Sequence, residues 1–345
     1  HEYLADIHFN LAQDEPWAPK GYEIAADQFA LTGLVTAKVV NHNSKPTLTK
    51  ANGQVVVSGK GFRVSFDKNG ALASYLWNGK EQVFAPLMPH FTRPVTDNDH
   101  RGWKMEKKLA PWFNTGMKLT GMESTVHGNM VDVHSSYSLI GDSAQVNVIY
   151  TINGSGEVKV DYQLKADPKL PDLPKVGMQM GILRADDQIT YYGRGPYENY
   201  IDRNSGSEVG IYSKPINEFM EPYIVPQENG NRTDVRWMLL SAKNKEGLMV
   251  TADSLLSMSA WPYTEQNIVA AKHTNKLKDA GYITLNIDLK QMGVGGNDSW
   301  SDVGEALEQY RIKAGNYHYS FYISPVRQTS KSWSQVNREM KFESK

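Results

Sequence analysis

Residues 54–77 read QVVVSGKGFRVSFDKNGALASYLW. β-Branched and aromatic residues dominate 54–59, 62–66 and 71–77, and apolar and polar positions alternate in them, which predicts strands with one buried face. Asp67-Lys68-Asn69-Gly70 holds the residue types of a tight turn, so the flanking strands are expected to pair antiparallel. Three consecutive antiparallel strands are therefore predicted in this part of the chain.

Segments with the same period of two follow along the rest of the chain, separated by Gly, Asn, Asp and Pro. They are residues 131–139, 144–152, 158–164, 178–183, 238–241, 248–252, 282–289 and 317–323. Many short strands at regular spacing are typical of β-sandwiches and barrels. Helical periodicity is scarce, and the best candidate is 264–272, with Thr264 as its predicted N-cap. An all-β fold is therefore predicted.

The composition excludes several classes of protein. The chain has 345 residues, a net charge of −1 and no basic block, which argues against nucleic acid as a partner. No run approaches about 18 apolar residues, so we expect a soluble protein with no membrane span. Cysteine is absent, which removes disulfides, thiolate nucleophiles and Cys-ligated zinc, and is compatible with cytoplasm or periplasm. The chain begins at His1 without a signal-like segment, as expected of a mature form or a fragment.

The first part of the chain differs from the rest. Residues 3–11 and 23–34 resemble two strands, which are too few for a stable domain. The polar stretch 41–53 shows no strand pattern and is interpreted as a linker. The polar tail after residue 325 is expected to fray. The predicted divisions are 1–50, terminal strands of a preceding domain plus the linker; 51–325, the main domain; and 326–345, the tail.

Five loop segments concentrate Gly, Asn, Asp, Glu and Trp between the predicted strands. They are residues 97–103, 193–203, 226–232, 271–274 and 292–300. Binding residues gather on loops that a rigid scaffold holds, and Trp offers a flat apolar face for stacking. Carboxylate, amide and guanidinium groups hydrogen-bond to sugar hydroxyls. The five segments are therefore candidates for a carbohydrate-facing surface.

The same segments also have a structural interpretation. Glu198 with Arg203, and Glu228 with Arg232, are candidates for ion pairs that brace turns. Trp300 is equally a candidate for filling a core. A glycosidase needs two carboxylates about 5–10 Å apart, and the sequence spacing selects no pair. The candidates are Glu198, Asp202, Glu228 and Asp298.

Five ordered motifs carry a family resemblance. They are Phe91-Thr92-Arg93-Pro94 with Thr96-Asp97-Asn98-Asp99, Gly195-Pro196-Tyr197-Glu198-Asn199-Tyr200 with Asp202-Arg203, Pro226-Gln227-Glu228-Asn229-Gly230, Met292 to Trp300, and Ala314-Gly315 with Tyr317 and Tyr319. In this order they resemble the C-terminal domain of family 2 β-galactosidases. The resemblance covers about residues 53–325, and residues 1–31 resemble the end of the preceding domain.

The resemblance implies a fold and a division of labour. The implied fold is all-β, a large antiparallel supersandwich of the galactose mutarotase type, preceded by a remnant of an immunoglobulin-like β-domain. The acid/base and nucleophile glutamates of this family lie on a TIM barrel that this sequence does not contain. No catalytic residue is therefore carried over to this chain, and we expect the chain to be inactive alone.

The resemblance also implies roles for individual residues. Trp300 matches a Trp that forms a platform for the aglycone sugar, on a loop set by its neighbours, and the segment after Asp97 matches a mobile loop beside the active site. His100 and Arg101 depart from the family pattern there. The implied substrate-binding residues are Trp300, Asp298, Asn297, Asn98, Asp99, His100 and Arg101. Structural bracing is favoured for Glu198, Asp202, Arg203, Glu228 and Asn229, which are hallmarks of the family. The candidates Asn199 and His273 carry no assigned role, and His273 is also a candidate acid or base.

The function implied by the resemblance is part of a retaining β-galactosidase that hydrolyses terminal β-D-galactosides. Alternatives are a natural small subunit of a two-chain enzyme, a non-catalytic carbohydrate-binding module, and a mutarotase-like epimerase. The expected partners are a galactoside or lactose-like sugar and the catalytic barrel, and the complete enzyme is expected to be a homo-oligomer. Mg²⁺ and Na⁺ are expected at the barrel, with no cofactor or metal site in this chain.

Overall fold

A computed structural model describes residues 2–34, 44–243, 246–327 and 332–338. The described part of the chain forms nineteen strands and five short α-helices. Every pairing of strands is antiparallel, which confirms the predicted all-β fold. Each strand that the sequence predicts is present, because alternating apolar residues give one face of a strand to the core.

The N-terminal strands form a separate two-stranded sheet, in which β1 (Leu4–Asn10) pairs with β2 (Glu23–Ala30). This sheet is attached to the main body by polar contacts. The Gln28 side chain exchanges two hydrogen bonds with the backbone of Val209, at 2.8 and 3.0 Å. Glu2 accepts hydrogen bonds from Arg236 and Tyr192.

The main body contains the remaining strands and the helices. The strands are β3 (Thr47–Ala51), β4 (Gln54–Gly59), β5 (Phe62–Phe66), β6 (Leu72–Trp77), β7 (Lys80–Glu81), β8 (Val83–His90), β9 (Lys118–His127), β10 (Met130–Leu139), β11 (Ala144–Asn153), β12 (Val158–Ala166), β13 (Lys175–Leu183), β14 (Gln188–Gly195), β15 (Glu208–Pro215), β16 (Arg232–Ser241), β17 (Glu246–Trp261), β18 (Tyr282–Gln291) and β19 (Asn316–Arg327). The helices are α1 (Met105–Lys108), α2 (Ala110–Phe113), α3 (Ile216–Phe219), α4 (Glu265–Ala270) and α5 (Trp333–Arg338). Within the described residues, none of the helices has the length and apolar character needed to cross a membrane.

The long strand β17 joins two groups of strands into a sandwich. Its residues 246–252 pair with β19, which continues through β12, β11 and β10 to β9. Its residues 257–261 pair with β18, which continues through β13 and β8 to β6, β5, β4 and β3. The two groups pack face to face: Phe66 of β5 meets Tyr150 of β11 with ring centroids 4.9 Å apart. Apolar side chains of both groups form one continuous core.

One prediction about an irregular segment is wrong, and the described part of the tail contains a helix. The stretch 41–53, interpreted as a linker without strands, contains β3, which pairs with β4. Its Thr and Lys residues conceal it because β3 is largely exposed. The tail, which is predicted to fray, contains α5 in its described part, where Trp333 and Val336 pack against the cluster formed by Trp237, Leu239, Met249 and Val326. Residues 35–43 of the linker and 328–331 and 339–345 of the tail lie outside the described residues.

Candidate functional site

Trp300 is 77% exposed, so the interpretation of this residue as a core plug is wrong. Its loop is shaped by Asp298, which accepts hydrogen bonds from the backbone N–H groups of Trp300 and Ser301 at 3.1 and 2.9 Å. The Ser301 hydroxyl donates to the same carboxylate at 2.6 Å and lowers the pKa of Asp298. The Asn297 N–H donates to the Val303 carbonyl at 2.7 Å and closes the loop. Asn297 and Asp298 therefore fix the backbone that presents Trp300.

Arg93 and Asp99 form a buried clamp beneath the same loop, and each is 1% exposed. The Arg93 guanidinium donates to both Asp99 oxygens, at 3.0 and 2.9 Å. It also donates to the carbonyls of Met292 and Gly293, at 2.6 and 3.0 Å. The Thr96 N–H completes the shell of the carboxylate at 3.0 Å. The expected contact between Asp99 and a sugar does not fit this burial, because Asp99 binds Arg93 inside the protein.

The turn Asn98–Gly102 packs against the Trp300 loop from the other side. The Asn98 amide donates to the Asp298 carbonyl at 2.8 Å and to the Gly304 carbonyl at 3.3 Å. A side chain at Gly102 would lie 3.2 Å from the Ser301 carbonyl oxygen, so the two loops approach closely. His100 and Arg101 face outward, where His100 contacts Glu106 at 2.6 Å and Arg101 contacts Asp97 at 3.3 Å.

Asp202 holds the glycine-rich segment that precedes Trp300. Its Oδ2 atom accepts hydrogen bonds from the backbone N–H groups of Val294 and Gly295, both at 2.8 Å. Gly293 has no room for a side chain, because a Cβ atom there would lie 2.8 Å from Asp202 Oδ2 and 3.0 Å from Tyr310 Cβ. A Cβ atom at Gly295 would meet only Asp202 Oδ2, at an ordinary 3.5 Å.

This difference predicts that an alanine substitution destabilises the protein at Gly293 but not at Gly295. We expect Gly293→Ala to lower the free energy of unfolding by about 1–3 kcal/mol, because the new methyl group displaces Asp202. We expect Gly295→Ala to change that free energy by less than about 0.5 kcal/mol. Urea unfolding followed by tryptophan fluorescence measures both variants. An equal loss of unfolding free energy in the two variants would contradict the tight packing of Asp202 against Gly293.

The Glu198 and Asn199 side chains point into the protein. Glu198 accepts hydrogen bonds from Arg203, from the Tyr223 hydroxyl and, at 2.7 Å, from the Gly230 N–H. Burial and the bond to Glu198 raise the pKa of Tyr223 to about 12. Asn199 is fully buried and accepts from the backbone and the hydroxyl of Thr233, at 2.8 and 2.6 Å. The predicted Glu198–Arg203 ion pair is confirmed.

Glu228 does not form the predicted ion pair with Arg232. The guanidinium of Arg232 instead donates to the Tyr191 hydroxyl at 3.0 Å and to the carbonyls of Pro196 and Phe219. Glu228 is 3% exposed and accepts a hydrogen bond from Tyr200 at 3.3 Å. Burial raises the pKa of Glu228 to about 8. Next to it, the Asn229 amide donates to the Gln227 carbonyl at 2.9 Å.

Four of the candidate residues meet at a cavity of about 440 Å³: Asn98, Asp202, Arg203 and Glu228. Aromatic and aliphatic side chains, including Tyr310 and Leu307, complete its wall. His273 lies exposed in a different loop and is not brought to this site. Trp300 is not part of the cavity wall, so the exposed indole and the cavity are two separate features.

A buried network of polar side chains around Lys175 is a feature that the sequence analysis does not predict. The Lys175 ammonium donates to Asn286 at 2.9 Å and contacts Asp288 at 3.2 Å, and all three side chains are fully buried. Burial raises the pKa of Asp288 to about 6. His90 and Glu265 pair nearby at 2.9 Å, and although burial opposes it, His90 lowers the pKa of Glu265 to about 2. Asn286 and Asp288 inside the strand β18 are the signal in the sequence for this network, because Lys175, His90 and Glu265 lie at the ends of their elements.

Family models and curated relatives agree with the resemblance. A model described as "Beta galactosidase small chain" matches residues 58–323, and one described as "Beta-galactosidase, domain 4" matches residues 1–32. A β-galactosidase of Priestia megaterium is 32% identical over 331 residues, and one of Halalkalibacterium halodurans is 32% identical over 321. These matches cover 94% and 91% of this chain, but 32% and 31% of the relatives. The chain thus spans about a third of their length.

Two solved structures are distantly similar. A galactose 1-epimerase from Lactobacillus acidophilus has a TM-score of 0.43 and 10% identity, over 83% of this chain and 100% of its own. An aldose epimerase homologue from C. elegans has a TM-score of 0.45 and 10% identity, over 82% and 100%. Scores this low carry no argument about function. The small-chain model, in contrast, covers more than half of the sequence, and the chain therefore belongs to the β-galactosidase small-chain family.

Proposed function

We propose that this chain is the C-terminal part of a retaining family 2 β-galactosidase that hydrolyses terminal β-D-galactosides. In this proposal, the chain completes the active site and binds the aglycone sugar, whereas the acid/base and nucleophile glutamates belong to a catalytic barrel outside this chain. The observation that carries the proposal is the presentation of Trp300, which is 77% exposed on a loop held by hydrogen bonds.

The rigidity of the Trp300 loop supports this role. Arg93, Asn98 and Asp202 each donate to or accept from the backbone of the segment 292–304. A preordered loop loses little conformational entropy when a ligand binds. The indole gives a flat apolar face with one N–H donor, which suits the apolar face of a sugar ring. Such a platform binds the leaving sugar but transfers no proton.

The exposed apolar side chains of the N-terminal sheet favour packing against another domain, either of the same chain or of a separate one. Phe9, Trp17, Ile24 and Leu31 of this sheet and its loop are exposed. Several large apolar side chains exposed on so small a sheet favour an interaction surface there. We propose that these side chains pack against the remaining strands of an immunoglobulin-like domain, which connects this chain to the barrel. The proposed complete enzyme is a homo-oligomer, which light scattering of the full-length protein tests.

The metal ions of the proposed enzyme are assigned to the barrel. We propose that Mg²⁺ and Na⁺ bind there and support the chemistry of the glutamates. Across the described ranges, no group of three or more His, Asp or Glu side chains could hold a metal ion. Hard cations need several oxygen ligands at one point, which is why we assign these ions to the barrel.

Hydrolysis of a nitrophenyl β-galactoside tests the proposal. We expect no activity from the chain alone and activity after mixing with a separately made N-terminal portion that carries the barrel. Robust hydrolysis by the chain alone would overturn the proposal and direct attention to its own carboxylates. Anomeric exchange of galactose catalysed by the chain alone would favour the epimerase alternative.

Trp300→Ala in the complemented enzyme tests the platform directly. We expect the KM for lactose to rise by about ten-fold, with a smaller change for the nitrophenyl substrate, because the indole binds the leaving sugar. Tyr197→Ala removes another exposed aromatic residue and serves as the matched control. An unchanged KM for lactose in Trp300→Ala would refute the platform.

A further inference from the structure

The cavity of about 440 Å³ is a feature that the proposed Trp300 platform does not use. Loops from four separate motifs form it, and Trp300 is not in its wall. Ligand pockets in proteins span about 300–1,000 Å³, so this cavity suits a ligand of one or two sugar rings. The cavity is therefore large enough to hold a ligand of its own.

The polar side of the cavity has free hydrogen-bonding groups. Arg203 uses its Nη2 atom to bind Glu198 and Tyr223, and no described residue accepts a hydrogen bond from its Nε or Nη1. Glu228 accepts from Tyr200 through Oε1, and no described residue donates to its Oε2. The Gln227 amide in the same wall is already engaged, because its oxygen accepts from the Asp97 N–H and its nitrogen donates to the Val225 carbonyl. The Arg203 side chain is 45% exposed, so a ligand can reach its Nε and Nη1 atoms.

The charged side chains that line the cavity indicate which class of ligand it can bind. Asp202 and Glu228 face the cavity with one guanidinium, and that guanidinium is already paired with Glu198. No uncompensated positive charge remains to attract a phosphate or a carboxylate. The described residues also hold no cluster that would bind a metal ion. A neutral ligand that both donates and accepts hydrogen bonds fits this wall.

Apolar and aromatic side chains also line the cavity, among them Tyr310, Leu307 and Val294. Sugars carry hydroxyl groups on their edges and C–H groups on their faces, so they fit a cavity lined by both polar and aromatic groups. We propose that this cavity is a second carbohydrate site, which binds a neutral mono- or disaccharide independently of Trp300. The site would act whether or not the chain belongs to a hydrolase.

Calorimetric titration of the whole chain with D-galactose, D-glucose and lactose tests the site. We expect saturable binding of at least one sugar, with a Kd of about 1 mM. Gly295→Leu fills the cavity, since a Cβ atom there meets only Asp202 Oδ2 at 3.5 Å. We expect this variant to weaken binding by about ten-fold or more. Gly206→Leu is the matched control, because a Cβ atom at Gly206 has no neighbour within 4 Å.

Trp300→Ala separates the cavity from the platform, because saturable binding that persists in this variant belongs to the cavity. If Gly295→Leu does not fold, Leu307→Trp narrows the cavity by enlarging another lining residue. Absence of saturable binding at about 100 mM of all three sugars would overturn the proposal. Loss of binding in Trp300→Ala, with Gly295→Leu unaffected, would also overturn it. Neither result affects the hydrolysis expected when the chain is mixed with the barrel portion. The titration can therefore refute the second sugar site without refuting the proposed function.

Discussion

Arg93→Met is expected to lower the free energy of unfolding by about 3–5 kcal/mol, because it leaves the Asp99 carboxylate buried without its partner. Arg93 and Asp99 are each 1% exposed, so water cannot replace the lost hydrogen bonds. The carbonyls of Met292 and Gly293 lose their donors in the same step. Urea unfolding, followed by tryptophan fluorescence, gives the change in free energy.

Two further variants isolate the cause. The double variant Arg93→Met/Asp99→Leu replaces both charges with apolar groups, and we expect it to recover a substantial part of the loss. Arg101→Met breaks an exposed ion pair with Asp97 and should change stability by less than about 1 kcal/mol. If Arg93→Met costs no more than Arg101→Met, the clamp does not stabilise the Trp300 loop.

Strand positions follow from the sequence wherever turn residues and alternation agree. Residues 54–59, 62–66 and 71–77 become β4, β5 and β6 within one residue of the predicted bounds. The prediction fails for β3, since an edge strand with exposed Thr and Lys residues has no apolar face to detect. It also fails for α5, whose Trp333 and Val336 pack against distant strands.

The candidate site follows from the sequence only as a set of loops. Sequence identifies Asp99, Glu198 and Asn199 as polar loop residues, but a carboxylate that braces a turn and one that binds a sugar are chemically identical. Their orientation depends on partners far along the chain, as when Arg93 binds the carbonyl of Met292, 199 residues away. Exposure distinguishes Trp300 from these residues, and exposure is a property of the packed structure.

Glu228 makes stability depend on pH in an unusual direction. Burial raises its pKa in the folded chain from 4.5 to about 8, against the opposing influence of Lys175 and Arg93. Between these two values the folded chain keeps a proton that the unfolded chain releases. Unfolding therefore releases a proton, and stability falls by up to about 1.4 kcal/mol for each pH unit. The contribution is complete below pH 4.5 and is lost as the pH rises through 8.

Glu228→Gln should remove this dependence, because an amide does not ionise and its oxygen can still accept the hydrogen bond from Tyr200. Asp288 also has a raised pKa, of about 6, so the interval from pH 7 to pH 8 isolates Glu228. We expect the stability advantage of Glu228→Gln over the unmodified chain to grow with pH across that interval. Glu308→Gln makes the same substitution on an exposed residue and controls for the change in net charge.

Parallel stability profiles for the unmodified chain and Glu228→Gln would mean that Glu228 is ionised in the folded protein. An advantage that grows with pH would instead mean that its carboxyl carries a proton beside the cavity at neutral pH.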